Sequence, residues 1–396
     1  MEAWMSLEDG AEQHLMSYVR EIARAMASQH RSHYDVMIIS RTKGWERCCR
    51  LRYGAFLVQV LGERYMVGYR GVELKILEAD ALRYSSDLLV LKHAQRSYGA
   101  DERAVHIAGI NTKTLPTIGD SLLVKRPLGM APRNLLFLGV EPIGSFKYRS
   151  IRDFSRRALA TAADISPTVC EISMTLHGLG FGLDETEAFE SEVAGIVEAL
   201  DLGEYPESLE AVSIVERNAA RASRMRGVLM ELLGSDDAGR RPGGPDASRI
   251  RRITSVGYDS ASRPHAFVAM PFADSFEDVF YFGIASPVRA AGLLCERIDQ
   301  VSFTGDIIIR MRERIASSAV VVADLSEANP NVYLEVGYAW GVNVPCILIC
   351  NRTTGLKFDL QGQRCLFYGS IKELEKSLSA ELSELSAEIS RQGRLN

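Results

Sequence analysis

Apolar residues along this chain come in two forms, short unbroken runs and longer stretches at helical spacing, and their alternation predicts an α/β protein. The runs YDVMIIS (34–40), AFLVQVLG (55–62), DLLVLKH (87–93), NLLFLGV (134–140), VCEISMTL (169–176) and LEAVSIVE (209–216) read as strands. Helical patterns at 150–163, 185–200 and 217–233 separate the later ones, which implies a mainly parallel sheet covered on both faces. Ahead of them, 8–30 places Leu15, Tyr18, Val19, Ile22, Ala23 and Met26 on one helical face, fit to cover the first domain or to meet a second copy. The pattern stops at 234–249, GSDDAGRRPGGPDASR, where Gly, Pro, Asp and Arg without apolar periodicity cannot build a core.

A second, shorter series follows. Strands are expected in HAFVAMPF (265–272), within AGLLCERID (291–299), in AVVVADL (319–325) and in VPCILIC (344–350). Helices are expected at 274–292, 304–318 and 329–341. Four strands interleaved with three helices fit a small flavodoxin-like or Rossmann-like domain with a parallel sheet. The tail 371–389 repeats charges on an amphipathic helix. The expected organisation is therefore two three-layer α/β domains: a sensor or scaffold at 1–233, a flexible linker at 234–262, a catalytic domain at 263–369 and a C-terminal helix at 370–396.

Composition narrows the class. The 396 residues are 46% hydrophobic, ample for two cores, and the net charge of -5 supplies no global positive field for direct nucleic-acid binding. Cys48, Cys49, Cys170, Cys295, Cys346, Cys350 and Cys365 show neither CxxC nor zinc spacing and read as reduced, buried thiols of a cytoplasmic protein. No apolar stretch reaches membrane-span length, and the acidic start MEAWMSLEDG is unlike a signal segment. No metal and no cofactor are expected.

Ligands of open α/β sheets gather at the carboxyl ends of the strands, and three polar segments of the second domain fall there. VAMPFADSF contributes Met270 and Phe272, DQVSFTGDI contributes Asp299 and Gln300, and ADLSEANPNVYLE carries Asp324, Asn329, Asn331 and Glu335. Asn329 or Asn331 reads as a helix cap ahead of Glu335, with Tyr338 on the same flank. Glu335, set between Leu334 and Val336, needs a partner or a task. It either pairs with Arg310 or Arg314 or serves chemistry with Asp324 beside it. All histidines except His265 lie outside this domain, and His265 stands at the far end of the first strand, so Ser-His, Cys-His and metal mechanisms are poorly supported. Cleavage of an N-glycosidic bond whose leaving group is a cationic pyridinium needs no general acid, so one carboxylate and hydroxyl ligands would suffice.

FVAMPF, CERIDQ, FTGDI, VVVADLSEANPNVYLEVGYAWG and PCILIC resemble the nucleoside 2-deoxyribosyltransferase-like and TIR-like superfamily of prokaryotic proteins, over about 264–369. The resemblance implies that Glu335 attacks an anomeric carbon, that Asp324 binds the sugar or tunes it, and that NAD is the substrate of a glycohydrolase effector in anti-phage defence. AMPF stands where the transferases tend to carry a glycine turn, and the large fused domain also departs from them. A nucleoside or nucleotide N-glycosidase or deoxyribosyltransferase and a non-catalytic nucleotide-binding signalling module are the alternatives.

In the first domain, Gly178, Gly180 and Gly182 precede an expected helix start in LHGLGFGLDETEAF, with Lys147 and Arg149 upstream as cations for a regulatory nucleotide. The same segment can be a plain turn and cap. DLLVLKH and TLHGLGFGLDETEAF loosely resemble macro-type domains over about 85–220, which implies an ADP-ribose-like ligand. A nucleotide activator and a homo-oligomer are the expected partners.

Overall fold

A computed structural model describes residues 36–42, 45–51, 60–61, 66–97, 99–142, 144–178, 182–233, 247–298, 305–353 and 364–392. The helix expected at 8–30 lies outside them. Chain contacts divide the protein into residues 1–66 and 67–396. In the first unit, β1 (Val36–Thr42), β2 (Trp45–Leu51) and β3 (Val60–Leu61) form an antiparallel sheet rather than entering the expected parallel one. The reason is local: two residues between β1 and β2 allow a hairpin, whereas a parallel crossover needs a dozen or more.

The second unit holds two α/β sheets. The first contains β4 (Met66–Tyr69), β5 (Val72–Glu78), β6 (Leu88–His93), β7 (Ser121–Lys125), β8 (Asn134–Gly139), β9 (Glu171–Thr175) and β10 (Ala211–Glu216). Its order is β4-β5-β10-β9-β6-β8-β7, with β5, β10, β9, β6 and β8 parallel and β7 antiparallel at the edge. Leu88 to Leu91 are all fully buried, so β6 is apolar on both faces, as a covered parallel strand must be. α1 (Gly99–Ile107), α2 (Tyr148–Ile165) and α3 (Glu185–Leu202) lie in the crossovers, and α4 (Ala219–Leu233) follows β10, the last strand.

The second sheet is entirely parallel. It contains β11 (His265–Ala269), β12 (Leu294–Glu296), β13 (Val320–Asp324), β14 (Cys346–Asn351) and β15 (Cys365–Tyr368), in the order β12-β11-β13-β14-β15. α5 (Ala247–Ser255) precedes it in the chain, and its helices are α6 (Ser286–Ala290), α7 (Gly305–Ala316), α8 (Pro330–Gly341) and α9 (Ile371–Gln392). Two three-layer α/β regions, the C-terminal one Rossmann-like, are thus present. The expected helix at 274–292 is broken into a 3-10 turn, a π-helical segment Val279–Ala285 and α6. α9 folds back on this region: Leu374, Leu378 and Leu382 are buried with Ile284 and Val288, and a Cβ on Gly283 would stand 2.7 Å from Leu374.

Residues 247–262, assigned to a linker by their polarity, form α5 and a 3-10 turn against the first sheet's helices. Arg152, buried on α2, donates to the carbonyls of Ile253, Thr254 and Val256 at 2.8, 3.2 and 2.6 Å. Polar composition disqualifies a segment from forming a core, but not from being clamped by one buried guanidinium with several donors.

α3 joins the two sheets. In its acidic first turns, Asp184, Glu185, Glu187 and Glu190 are all buried. Asp184 caps α3 by accepting from the Glu187 amide at 3.0 Å, and also accepts from Arg289 Nε and the Cys295 amide, both at 2.9 Å. Glu185 accepts from Arg221 and Tyr281 at 3.0 and 2.8 Å, Glu187 from Ser260 and Arg263, and Glu190 from Arg252. Each acid is met by a cation or hydroxyl, the condition for burying charge.

Candidate functional site

α8 begins with Asn329 as N-cap, its side chain accepting from the Asn331 amide at 3.0 Å, and with Pro330 in the first turn, where a missing N–H is harmless. The helix then buries Val332, Glu335, Val336 and Ala339, a helical stripe, and leaves Leu334 62% exposed. The apolar members of the stripe pack with Phe267, Val321, Ala323 and Leu325 of the sheet. Glu335 therefore occupies a core-facing position while its leucine neighbour faces solvent, which is the inverse of ordinary partition. Among the described residues no hydrogen bond or ion pair reaches its carboxyl. Burial alone pushes its pKa up to about 8. The alternative partner Arg314 turns to Glu296, which accepts from its Nε at 2.7 Å.

Asp324, at the carboxyl end of β13, is fully buried and differently placed. Oδ1 accepts from the amide and hydroxyl of Ser326, and Oδ2 accepts from Tyr368 Oη at 3.0 Å. Ser326 Oγ accepts in turn from the Asn351 amide at 2.9 Å. Burial raises the Asp324 pKa against the lowering effect of these donors. The aspartate ties the ends of β13, β14 and β15 together, and its oxygens are committed to that task. The Asp-Leu-Ser order made the turn legible; Tyr368 was not, because β15 is short and bounded by Arg and Gly.

The other candidates separate. Met270 is buried in the core on the α9 side of the sheet, whereas Glu335 lies on the α8 side. Phe272 is 39% exposed in the loop after β11, Asn331 is exposed, and Tyr338 is half-buried with the Arg312 guanidinium 5.7 Å from its ring centre. Asp299, Gln300 and Gly180 lie outside the described residues. In the first sheet's loops, Gly178 and Gly182 have φ of 81° and 83°, and a Cβ on Gly182 would meet Ile298 at 3.0 Å. The position an anion would take at the α3 N-terminus is filled by the Asp184 carboxylate. Lys147 is exposed at the start of α2, and Arg149 pairs with Asp153 at 3.7 Å and lies 5.5 Å from the Tyr258 ring centre.

Two cavities lie at the seam between the sheets. One, of about 280 Å³, is lined by residues that include Asp184, Glu190, Arg252 and Arg289; the other, of about 520 Å³, is lined by residues that include Lys147 and Arg310. Neither is lined by Glu335. Among the described residues there is no group of three or more His, Cys, Asp and Glu side chains placed to hold a metal, and no helix long and apolar enough to cross a membrane.

No protein-family model matches the chain, and no curated protein matches it. Solved structures that share part of its trace include a macrodomain of Oceanobacillus iheyensis with ADP, at 16% identity and TM-score 0.35, covering 42% of this chain and 95% of that one. A mutant of that macrodomain with ADPR shows 16% identity and TM-score 0.35 over 43% and 98% of the two chains. The macro domain of ganglioside induced differentiation associated protein 2 shows 15% identity and TM-score 0.32 over 41% and 83%. At such values the likeness carries no conclusion about activity. These neighbours are macrodomains, not deoxyribosyltransferases or TIR proteins. The expected membership of that superfamily is corrected on this finding, and the NAD-cleaving reading loses the support it drew from that membership.

Proposed function

We propose that this chain is a nucleotide-binding module whose second sheet hydrolyses the N-glycosidic bond of a nucleoside or nucleotide, with Glu335 as the acid. The observation that carries this reading is the buried Glu335 carboxyl, without a partner among the described residues and with its pKa pushed up to about 8 by burial. At neutral pH such a group is protonated and can donate. A neutral purine or pyrimidine leaves poorly as an anion, so protonation of the base as the C1′–N bond breaks is the help it needs. The proton passes from Glu335 to the base, the bonding pair leaves with the base, and water attacks the oxocarbenium carbon. The carboxylate then stabilises the cation and recovers a proton from the attacking water. A cationic nicotinamide leaving group requires no such acid, and a nucleophile must be ionised, which Glu335 at rest is not. The chemistry of the buried acid thus favours neutral bases.

The test is release of free base from a panel of nucleosides and nucleotides, followed by chromatography at pH 6 and pH 9. Loss of a general acid in Glu335→Gln is expected to lower the rate by about 100-fold or more. Wild-type kcat/KM should fall as pH rises past about 8. Equal rates for wild type and Glu335→Gln refute the assignment. A second reading, binding without hydrolysis, is favoured by the Asp324 oxygens already being committed and by both seam cavities lying away from Glu335. It is distinguished by nucleotide affinity without base release.

A further inference from the structure

The larger seam cavity, about 520 Å³, has the size of sites that hold whole small ligands rather than single ions. Its walls come from both sheets. Lys147 and Tyr148 open α2 on one side, and His265, Glu296, Arg310 and Arg314 belong to the second sheet and its α7. Lys147 is the α2 N-cap residue, and its side chain makes no capping bond. The first turn of an 18-residue helix, with its positive end, thus borders the cavity.

Lys147, Arg263, Arg310 and Arg314 line the space with Glu296 and Glu313; of these cations Arg263 is paired with Glu187 and Arg314 with Glu296. Glu296 is fully buried and already held, accepting from Tyr148 Oη at 3.0 Å and Arg314 Nε at 2.7 Å, and Glu313 is exposed to solvent. Arg310 stands one helical turn from Arg314 on α7, and both line the same space. His265 reports the same field: burial first, then Arg314 and Lys147, hold its imidazole down to about 4.

We infer that this cavity binds the phosphate groups of a nucleotide, with Lys147 from the first sheet and Arg310 from the second engaging the same anion. Such a ligand bridges the two sheets, at a place distinct from the Glu335 edge. Guanidinium and ammonium are the side chains suited to phosphate, and the α2 terminus adds amides. Acids that already hold their own cations do not compete for it.

The experiment measures calorimetric affinity and thermal midpoint of the full chain, at low ionic strength, with inorganic phosphate, pyrophosphate, AMP and ADP as separate probes. AMP or ADP is expected to bind more tightly than inorganic phosphate and to raise the midpoint. Lys147→Ala and Arg310→Lys are each expected to weaken that binding by about tenfold. Lys372→Ala, on α9, serves as the control for loss of one charge and should leave affinity within twofold. Binding of none of the four probes overturns the proposal. Unchanged affinity in both Lys147→Ala and Arg310→Lys also overturns it, as does binding that is lost in Glu335→Gln while both seam variants retain it. Lys147 is exposed, so its variant stays informative if Arg310→Lys fails to fold.

Discussion

Replacing Glu335 by Gln should make the protein more stable at alkaline pH and change little at acid pH. The carboxyl is 8% exposed, and burial moves its pKa from 4.5 to about 8. Between those values the folded state binds more protons than the unfolded state, so stability falls as pH rises. The contribution is fully present below pH 4.5 and is lost as pH rises through about 8. Integrated from pH 5 to pH 9, the shift amounts to about 4 kcal/mol lost by wild type and not by the neutral isostere. Urea denaturation of both proteins across that range, compared pH by pH, cancels every other titration they share. The expected result is a difference that grows by about 4 kcal/mol from pH 5 to pH 9, most of it before pH 8. Parallel curves, within about 1 kcal/mol over the whole range, would refute the placement of Glu335 as a buried neutral acid.

Arg289→Ala leaves the buried Asp184 carboxylate without its cation and should destabilise by about 3 kcal/mol or more, with Asp184→Asn in the same chain recovering part of the loss in chemical denaturation. Tyr368→Phe removes one donor to Asp324 and should cost about 1–3 kcal/mol in the same assay, while Asp324→Asn should keep the turn through Ser326 better than Asp324→Ala. His265, held down to about 4, contributes stability that is present above pH 6.5 and lost as pH falls through about 4. His265→Gln should remove about 2 kcal/mol of acid sensitivity between pH 7 and pH 4.5, read as the difference between the two stability profiles. Gly195→Ala places a methyl 2.1 Å from the Arg152 carbonyl oxygen, inside the α2–α3 contact, and should abolish soluble expression.

Periodicity alone determined much of this protein. The apolar runs of β6, β8, β9, β10, β11, β13 and β14 are legible because a strand covered on both faces must be apolar at every position. α2, α3, α7 and α8 are legible from their helical spacing, and Glu335 stands out because one carboxylate interrupts an otherwise apolar stripe. Several features were decided only by tertiary structure. The β1–β2 hairpin, the antiparallel edge strand β7 and the closing strand β15 are too short, or too polar, for a local pattern to fix their pairing. Asp324 looked like a partner for Glu335, but its oxygens are claimed by Tyr368 on a strand 44 residues away. Above all, the segment opening α3 read as a turn and cap or as a nucleotide loop, whereas its acids are buried against Arg252, Arg263 and Arg289, side chains distant in sequence. A single-residue pattern records which positions favour water or core. Whether a charged position is buried depends on a partner charge that only folding brings to it.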